Sequence, residues 1–534
     1  MALLVSNLNW PEDADPIGVV AAAVRVGRQH VLSVRVVRRS LDARSRPPVW
    51  RAAVRIELSD EAQTLRRNIP GVRLFTVRDE GRYGLVAPSP TRRSAPTRPI
   101  IVGSGPAGLY AAMWLAEAGV PPVLLERGSP VEARVGEVNR AWRSASVLDP
   151  ESNTVFGEGG SGTFSDGKIY TRRRDGQIGI VLGRLVDLGA DPSILDDGWA
   201  HLGTDKIREL LPRFRHRLEA LGVDIRFRTQ VVGLIVESGV ARGVRLADGT
   251  VLEGAPIIVA VGHSARDSAR WLVEAGAVAT ARPIAIGARV EHPQALVNAA
   301  RYGPDPADGL PPASYRLTWA PRDGRKAFTF CQCPGGMVVP AENAVGTVVV
   351  NGMSFAARRA FWANSAVIVE VLPSDYGDAR DPLAGYAFQD AIERAAFRLG
   401  GGTGAAPAQR VSDLLAGRAS EDLPRSSFPH GLVSVPMAEV LPSPVLRGMV
   451  DALRKWSQEL PGFSGPEGVL IAPETRTTSP VRFERDESGE TKGVRGLYVA
   501  GEGAGYGGGI VSSALDGLAV AERILATLPA TGLG

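Results

Sequence analysis

The chain has 534 residues, 44% of them hydrophobic and 22% charged, which excludes a disordered polymer and a small disulfide scaffold. At roughly 150 residues per domain this length predicts three or four domains, and no stretch approaches the ~20 apolar residues of a membrane span. Sixty-one basic against 57 acidic residues leave a formal net charge of +4, with only five lysines, so the arginine excess reports composition rather than a polyanionic partner.

The first residues, MALLVSNLNWPEDADP, carry acids where a secretory leader would carry bases, and the expected location is the cytoplasm. Two cysteines, Cys331 and Cys333, cannot build a disulfide framework or a four-ligand zinc site, and no metal spacing stands out elsewhere.

Residues 1–86 read as a small βαββ module. An apolar run lies at 2–8, a helical pattern at 17–26 and β-rich stretches at 31–37 and 50–58. Its later part is dense in arginine: Arg35, Arg38, Arg39, Arg44, Arg46, Arg51 and Arg55. Phosphate contact is one reading of that density. The region lacks the interleaved aromatics that stack bases, so a solvated or docking face is the expectation and nucleic acid is not the expected partner. Residues 87–98, rich in Pro, Ser and Thr, form a linker.

From Pro99 strands and helices alternate, the pattern of a parallel α/β sheet. Residues 99–280 form its first part and 471–534 its last. Residues 281–470 form an inserted α+β domain with helices expected at 386–399 and 445–460. The fold class is therefore a Rossmann-like α/β domain, interrupted by a substrate or cap domain and preceded by the small N-terminal module.

Residues 99–127 read PIIVGSGPAGLYAAMWLAEAGVPPVLLER: a strand, a glycine turn, an Ala-rich helix, a second strand and an acid. Gly103 permits the tight turn, Gly105 removes a side chain where a pyrophosphate must approach the backbone, and Gly108 lets helix and strand pack closely. Phosphates placed there face the helix N-terminus, whose unpaired N–H groups and dipole favour an anion. Glu126, 18 residues after Gly108, is spaced to accept hydrogen bonds from ribose hydroxyls. The glycine motif alone does not separate FAD from NAD.

Three further segments do. Residues 157–168, GEGGSGTFSDGK, would let backbone amides approach a phosphate or ring. Residues 256–263, PIIVAVGH, form a buried strand running into glycine, preceded by a hairpin-like stretch at 224–237. Residues 496–517, GLYVAGEGAGYGGGIVSSALDG, form a strand, a glycine loop and a helix from Ile510. Glu502 could hold ribityl hydroxyls, and the helix start at Gly509 and Ile510 could stabilise negative charge on a reduced flavin.

With these segments placed, the chain resembles FAD-dependent dehydrogenases of the glutathione-reductase structural class. More narrowly, it resembles a bacterial family known only as FAD-dependent dehydrogenases or oxidoreductases. The resemblance also rests on VGHSARD at 261–267, FCQCPGG at 330–336, NGMS at 351–354, FWANSA at 361–366, APAQR at 406–410, ETRTTSPVR at 474–482 and GEGAGYGGGI at 501–510. It implies a bound FAD. Carried over, Gly103, Ser104, Gly105, Pro106, Ala107 and Gly108 would hold pyrophosphate, Glu126 and Arg127 the adenosine ribose, and Val231 the adenine through its backbone. Gly160, Ser161, Gly162 and Thr163 would hold phosphates, Gly262 would touch FAD, and Gly501, Glu502, Gly509 and Ile510 would serve the ribityl and flavin end. VGHSARD at 261–267 lacks the spacing of a second dinucleotide turn, so NAD(P)H enters only as a transient electron donor.

The expected activity is oxidation or reduction of an organic small molecule through bound FAD, with the electron partner open. Alternatives are a flavin monooxygenase, a flavin-dependent RNA-modifying protein and a flavin-binding protein without turnover. Candidate catalytic groups are Asp166, Lys168 and Tyr170 after the glycine loop, Cys333 as half of a dithiol with Cys331, and Arg476, with Arg482 nearby, gripping a carboxylate. Each has a structural alternative: loop anchoring for the first three, small buried hydrophobes for the cysteines, and an internal ion pair for the arginines. His263 beside the glycine strand is expected to be packed rather than a base.

Overall fold

The computed structural model describes residues 2–11, 13–45, 47–83, 89–171, 173, 175–322, 324–378 and 380–530. Arg46 and the first residues of the expected linker, 87–88, lie outside them. The chain divides into two compact units. One comprises Met1–Pro88, Lys168–His201 and Arg301–Asp308, the other Ser89–Gly167, Leu202–Ala300 and Gly309–Gly534.

In the smaller unit the strands Val31–Asp42, Val49–Leu58, Leu3–Asn9 and Val72–Leu74 form an antiparallel sheet in that order. Period-2 alternation along Val49–Leu58 buries Ala52, Val54, Ile56 and Leu58 against Leu3, Val5, Val20 and Val24. The helix Pro16–Val24 starts at Asp15, whose carboxylate accepts from the Gly18 N–H. A fourth strand thus extends the expected βαββ order. Part of the arginine density is absorbed locally: Arg44 pairs with Asp42, Arg55 with Glu57, and Arg39 lies over Trp50.

Residues 168–201, expected within the first part of the FAD-binding domain, belong to this smaller unit. The reason is edge pairing that leaves no side-chain pattern. The Arg39 N–H donates to the Asp196 carbonyl and the Gly198 N–H to the Arg39 carbonyl. The helix Ile178–Asp187 buries Ile178, Val181, Leu182 and Leu185 and packs on the helix Val77–Arg82.

In the larger unit a five-stranded parallel sheet runs Leu497–Val499, Ile257–Val259, Ile100–Val102, Val123–Leu125, Asp224–Arg226. Its first four strands are apolar and buried on both faces, as burial under helices requires, whereas the edge strand Asp224–Arg226 carries charged ends. The expected hairpin at 224–237 is corrected: Asp224–Arg226 is too short to turn back and joins the parallel sheet. The hairpin lies instead between Val231–Glu237 and Val240–Leu246, with Val251–Glu253 as third strand. The helices Pro106–Glu117 and Ile510–Thr527 cross closely, because Gly517 has no Cβ to meet the Ala107 carbonyl, which would stand 2.1 Å away.

A second, mostly antiparallel sheet has the order Thr318–Trp319, Ala327–Pro340, Trp362–Val371, Ile284–Pro293, Val469–Glu474, Ala406–Arg410, Leu432–Ser434, with Val350–Met353 paired to Ala327–Pro340. The helix Ser443–Glu459 covers it, burying Val445, Met449, Ala452, Leu453 and Trp456 on one face. The expected boundary at 470 falls inside the strand Val469–Glu474, which pairs with both Ile284–Pro293 and Ala406–Arg410.

Candidate functional site

The carboxyl ends of the parallel strands place four glycine-bearing segments side by side. After Val102 the backbone turns at Gly103, where φ is +103° and a Cβ would meet the Ala260 carbonyl at 2.5 Å. Glycine is required there on both counts. Gly105 then begins the helix Pro106–Glu117 with no side-chain cap and no acid in its first turn. The open N–H groups and dipole of that turn fit an anion.

The other segments close around this turn. A Cβ on Gly160 would lie 3.2 Å from the Gly105 Cα, one on Gly162 3.2 Å from Ile510, and one on Gly501 2.9 Å from Ala107. Gly503 abuts Gly262, whose carbonyl a Cβ would meet at 2.6 Å. The helix Ile510–Thr527 likewise starts at a glycine, Gly509, without a side-chain cap or first-turn acid. Cβ atoms on Gly262, Gly508 and Gly509 would enter open space, whereas Gly105 has only Gly160 nearby, at 4.0 Å. Two uncapped helix starts facing open space between glycine turns fit a long ligand that carries phosphates at one end.

Glu126 is buried, and its carboxylate accepts four hydrogen bonds. The Ser104 N–H (2.9 Å) and hydroxyl (2.8 Å) donate to one oxygen, and the Gly128 and Gly157 N–H groups (both 3.0 Å) to the other. It therefore ties the Gly103 turn to the 157 loop, and a ribose hydroxyl would compete with Ser104 for Oε2. Arg127 makes a bidentate pair with Glu151, reaches Asp267 at 3.0 Å and stacks on Phe156. Gln230, next to Val231, donates to the same Asp267, so Val231 and Arg127 border one region.

Loop 153–163 is held by a residue that the sequence does not single out. Arg134, fully buried in the helix Val131–Arg143, donates to the carbonyls of Asn153, Thr154, Gly157 and Glu158 and to the Thr163 hydroxyl. Among the described residues no carboxylate is in ion-pair contact with it, and burial lowers its pKa. Gly157, at φ +112°, must be glycine because a Cβ would meet Arg134 Cδ at 2.4 Å. Ser161 lies in the short helical turn Gly160–Phe164 of the same loop.

On the far side, the Gly501 N–H donates to Asp516 at 2.7 Å, and Asp516 is fixed by a bidentate Arg485. Glu502 stands 3.7 Å from His263. His263 Nε2 and Ser264 Oγ are buried without a hydrogen-bond partner among the described residues, an arrangement that costs free energy unless a bound group supplies one.

The candidate catalytic groups are dispersed. Asp166 is buried and accepts from Ser354 and Arg358 (2.9 Å), an anchoring role. Lys168 and Tyr170 belong to the smaller unit, where Tyr170 meets Trp199 edge-on. Cys331, at φ +44°, interrupts the register of its strand, and no disulfide joins it to the buried Cys333. Arg289, paired with Glu474 through two 2.7 Å bonds, donates to the Cys331 carbonyl. Arg476 is committed to an internal ion pair with Glu393 and to Asn343. Next to Asn343, Glu342 is buried with one oxygen lacking a hydrogen-bond partner, and burial pushes its pKa up to about 7. Among the described residues no group of three His, Cys, Asp or Glu side chains could hold a metal ion, and no helix is long and apolar enough to cross a membrane.

Residues 97–250 match the model of an FAD binding domain, and residues 283–477 that of the C-terminal domain of FAD-dependent proteins. An uncharacterised protein of Clostridium beijerinckii is 34% identical over 535 residues, covering 98% of this chain and 99% of its own length. Among solved structures, a geranylgeranyl bacteriochlorophyll reductase-like protein from Thermoplasma acidophilum is 12% identical, over 80% of this chain and 78% of its own, with a TM-score of 0.34. A 3-ketosteroid-Δ4-(5α)-dehydrogenase from Rhodococcus jostii RHA1 is 13% identical, over 82% and 99%, also with a TM-score of 0.34. At these values the structural likeness extends to neither reaction nor substrate.

Proposed function

The chain belongs to the family of FAD-binding, oxidoreductase-like proteins in which an FAD binding domain is joined to the FAD-dependent C-terminal domain, and from that premise we propose that it is a dehydrogenase-type enzyme acting on an organic small molecule. The observation that carries the reading is the meeting of the Gly103–Gly108, Gly160–Thr163 and Gly501–Ile510 segments at the carboxyl edge of the parallel sheet. That edge is where open α/β sheets bind their ligands.

In this reading the Gly105 turn and the first N–H groups of the helix Pro106–Glu117 hold the pyrophosphate. Arg134 keeps the opposing loop close enough to cover it. Glu126, Arg127 and the Val231 backbone take the adenosine end. Glu502 orients the ribityl chain, while Gly262, His263 and Ser264 supply polar contacts to the buried part of the cofactor. The uncapped start of the helix Ile510–Thr527 favours negative charge at the flavin end. FAD supplies the hydride chemistry, and the residues described bind it, orient it and keep water out.

The experiment is an anaerobic titration of FAD-loaded protein with NADH, NADPH and a panel of alcohols, amines and enones, followed at the visible flavin band. Bleaching by one compound, with reoxidation by an acceptor and stoichiometric product, supports the reading. A flavin that no donor reduces and that turns over nothing contradicts it.

A further inference from the structure

Around the loop Gly501–Gly509 two arginines stand apart from the chain's many ion pairs. Arg482 lies in the strand Val481–Phe483, which pairs antiparallel with Ala279–Ala281, and Arg282 follows directly on that partner strand. The two come together on Gly505. A Cβ there would lie 3.0 Å from the Arg482 Cα and 3.1 Å from Arg282 Nη1, at a φ of +83°. Arg282 donates to the Gly505 carbonyl at 2.6 Å, and Arg482 lies over the ring of Tyr506 with its guanidinium carbon 5.2 Å from the centroid.

Neither guanidinium is within ion-pair distance of a carboxylate among the described residues. Arg485, by contrast, is neutralised by Asp516. Arg482 Nε is buried with no hydrogen-bond partner. Burial and the neighbouring charge of Arg482 both lower the pKa of Arg282, which the charge of Glu502 opposes. Two like charges kept close and half-buried with no carboxylate in ion-pair contact are a cost in the ligand-free protein, and an anion would lower it. Against Glu502 the pair retains about one net positive charge, which matches a monoanion better than a phosphate dianion. Tyr506, whose ring also carries the Arg485 guanidinium at 4.1 Å, is 37% exposed beside them and offers its exposed ring edge to the rest of the molecule.

We propose that Arg282, Arg482 and Tyr506 form the recognition subsite for the carboxylate of an organic-acid substrate. The proposal rests on the FAD reading of the Gly501–Ile510 loop, because only that reading puts the subsite beside a reacting centre. Arginine is suited to it by its planar fork, which grips a carboxylate through two parallel N–H···O bonds.

The test is calorimetric titration of the full-length FAD-loaded protein with benzoate, phenyl phosphate and the uncharged analogue benzamide, repeated on Arg482→Gln, Arg482→Lys and Arg282→Gln, with FAD content measured in each. Benzoate is expected to bind saturably and perturb the flavin spectrum, with benzamide silent and phenyl phosphate weaker. Affinity should fall at least about tenfold in both Gln variants and less in Arg482→Lys, at unchanged FAD content. Equal benzoate affinity in Arg482→Gln and Arg282→Gln would overturn the subsite, as would no carboxylate binding at all. Loss of FAD in those variants with benzoate binding intact would assign the arginines to the cofactor instead. Titrating the FAD-free protein separates the two readings: benzoate binding there supports the subsite even if the cofactor assignment fails.

Discussion

Gly105 and Gly160 face each other so closely that a Cβ on Gly160 would lie 3.2 Å from the Gly105 Cα. The glycine turn that ends the first parallel strand and the glycine loop some fifty residues later are therefore the two jaws of one slot. Gly160 also sits at φ +61°, so alanine would carry backbone strain as well as the contact. Gly160→Ala is expected to cost about 1–2 kcal/mol of stability and to loosen FAD, read by chemical unfolding and cofactor release. An unchanged unfolding midpoint with full FAD retention would show that the jaws are not this close.

Arg134 fixes one of those jaws through four backbone carbonyls and the Thr163 hydroxyl. Replacing it with Met strands several buried acceptors, and the expected loss is roughly 3–5 kcal/mol. Arg134→Lys keeps a charge but cannot reach carbonyls on both sides, so it should fold better than Met and still bind FAD weakly. Guanidinium ion at millimolar concentration should partly restore FAD binding to Arg134→Ala, whereas methylammonium should not.

Glu126→Gln tests the four-donor carboxylate. The amide nitrogen must face donors on at least one side, so two hydrogen bonds turn repulsive and the charge that strengthens all four is lost. Weaker FAD binding and a lower unfolding temperature are expected together. A variant that loses FAD affinity alone would mean that the carboxylate serves the ribose and not the turn.

Glu342 predicts a pH dependence with a definite sign. Its pKa is raised from the usual 4.5 to about 7 in the folded chain, so the unfolded chain gives up this proton first as pH rises. The stability tied to the neutral acid is complete below pH 4.5 and is lost on going up through pH 7, an effect on the order of 3 kcal/mol. Glu342→Gln should therefore be more stable than the parent at pH 8 and close to it at pH 4.5. Parallel stability curves across that range would contradict the assignment.

The legible parts of the fold are those with a local signal. The turn at Gly103–Gly108 and the loop at Gly501–Ile510 show because strand, glycine spacing and helix follow one another within a few residues. The helices Ala384–Leu399 and Ser443–Glu459 show because their buried residues recur at helical spacing. What stays hidden is long-range or made by backbone. Arg134 reads like any arginine of an amphipathic helix, since its partners are carbonyls 19 to 24 residues away. Arg289 and Glu474, 185 residues apart, give no sign in the sequence that each neutralises the other. Residues 168–201 dock on the edge of Val31–Asp42 through backbone hydrogen bonds, which leave no pattern to read. Arg476 and Arg482 look equivalent in ETRTTSPVR, and only the fold separates the one bound to Glu393 from the one left without a carboxylate.

The most direct test of the cofactor site is the FAD content of the purified parent and of Gly105→Val, measured by absorption and by chromatography of the flavin released on denaturation. At φ −72° Gly105 has a conformation open to any residue, and only the Gly160 Cα lies within 4.0 Å of an added Cβ. The variant should therefore fold like the parent. The account predicts about one FAD per chain in the parent and essentially none in a folded Gly105→Val, because the new side chain occupies the pyrophosphate's place. A folded variant that holds FAD as tightly as the parent would contradict the placement, and a parent that can be neither isolated with FAD nor reconstituted would contradict the site itself.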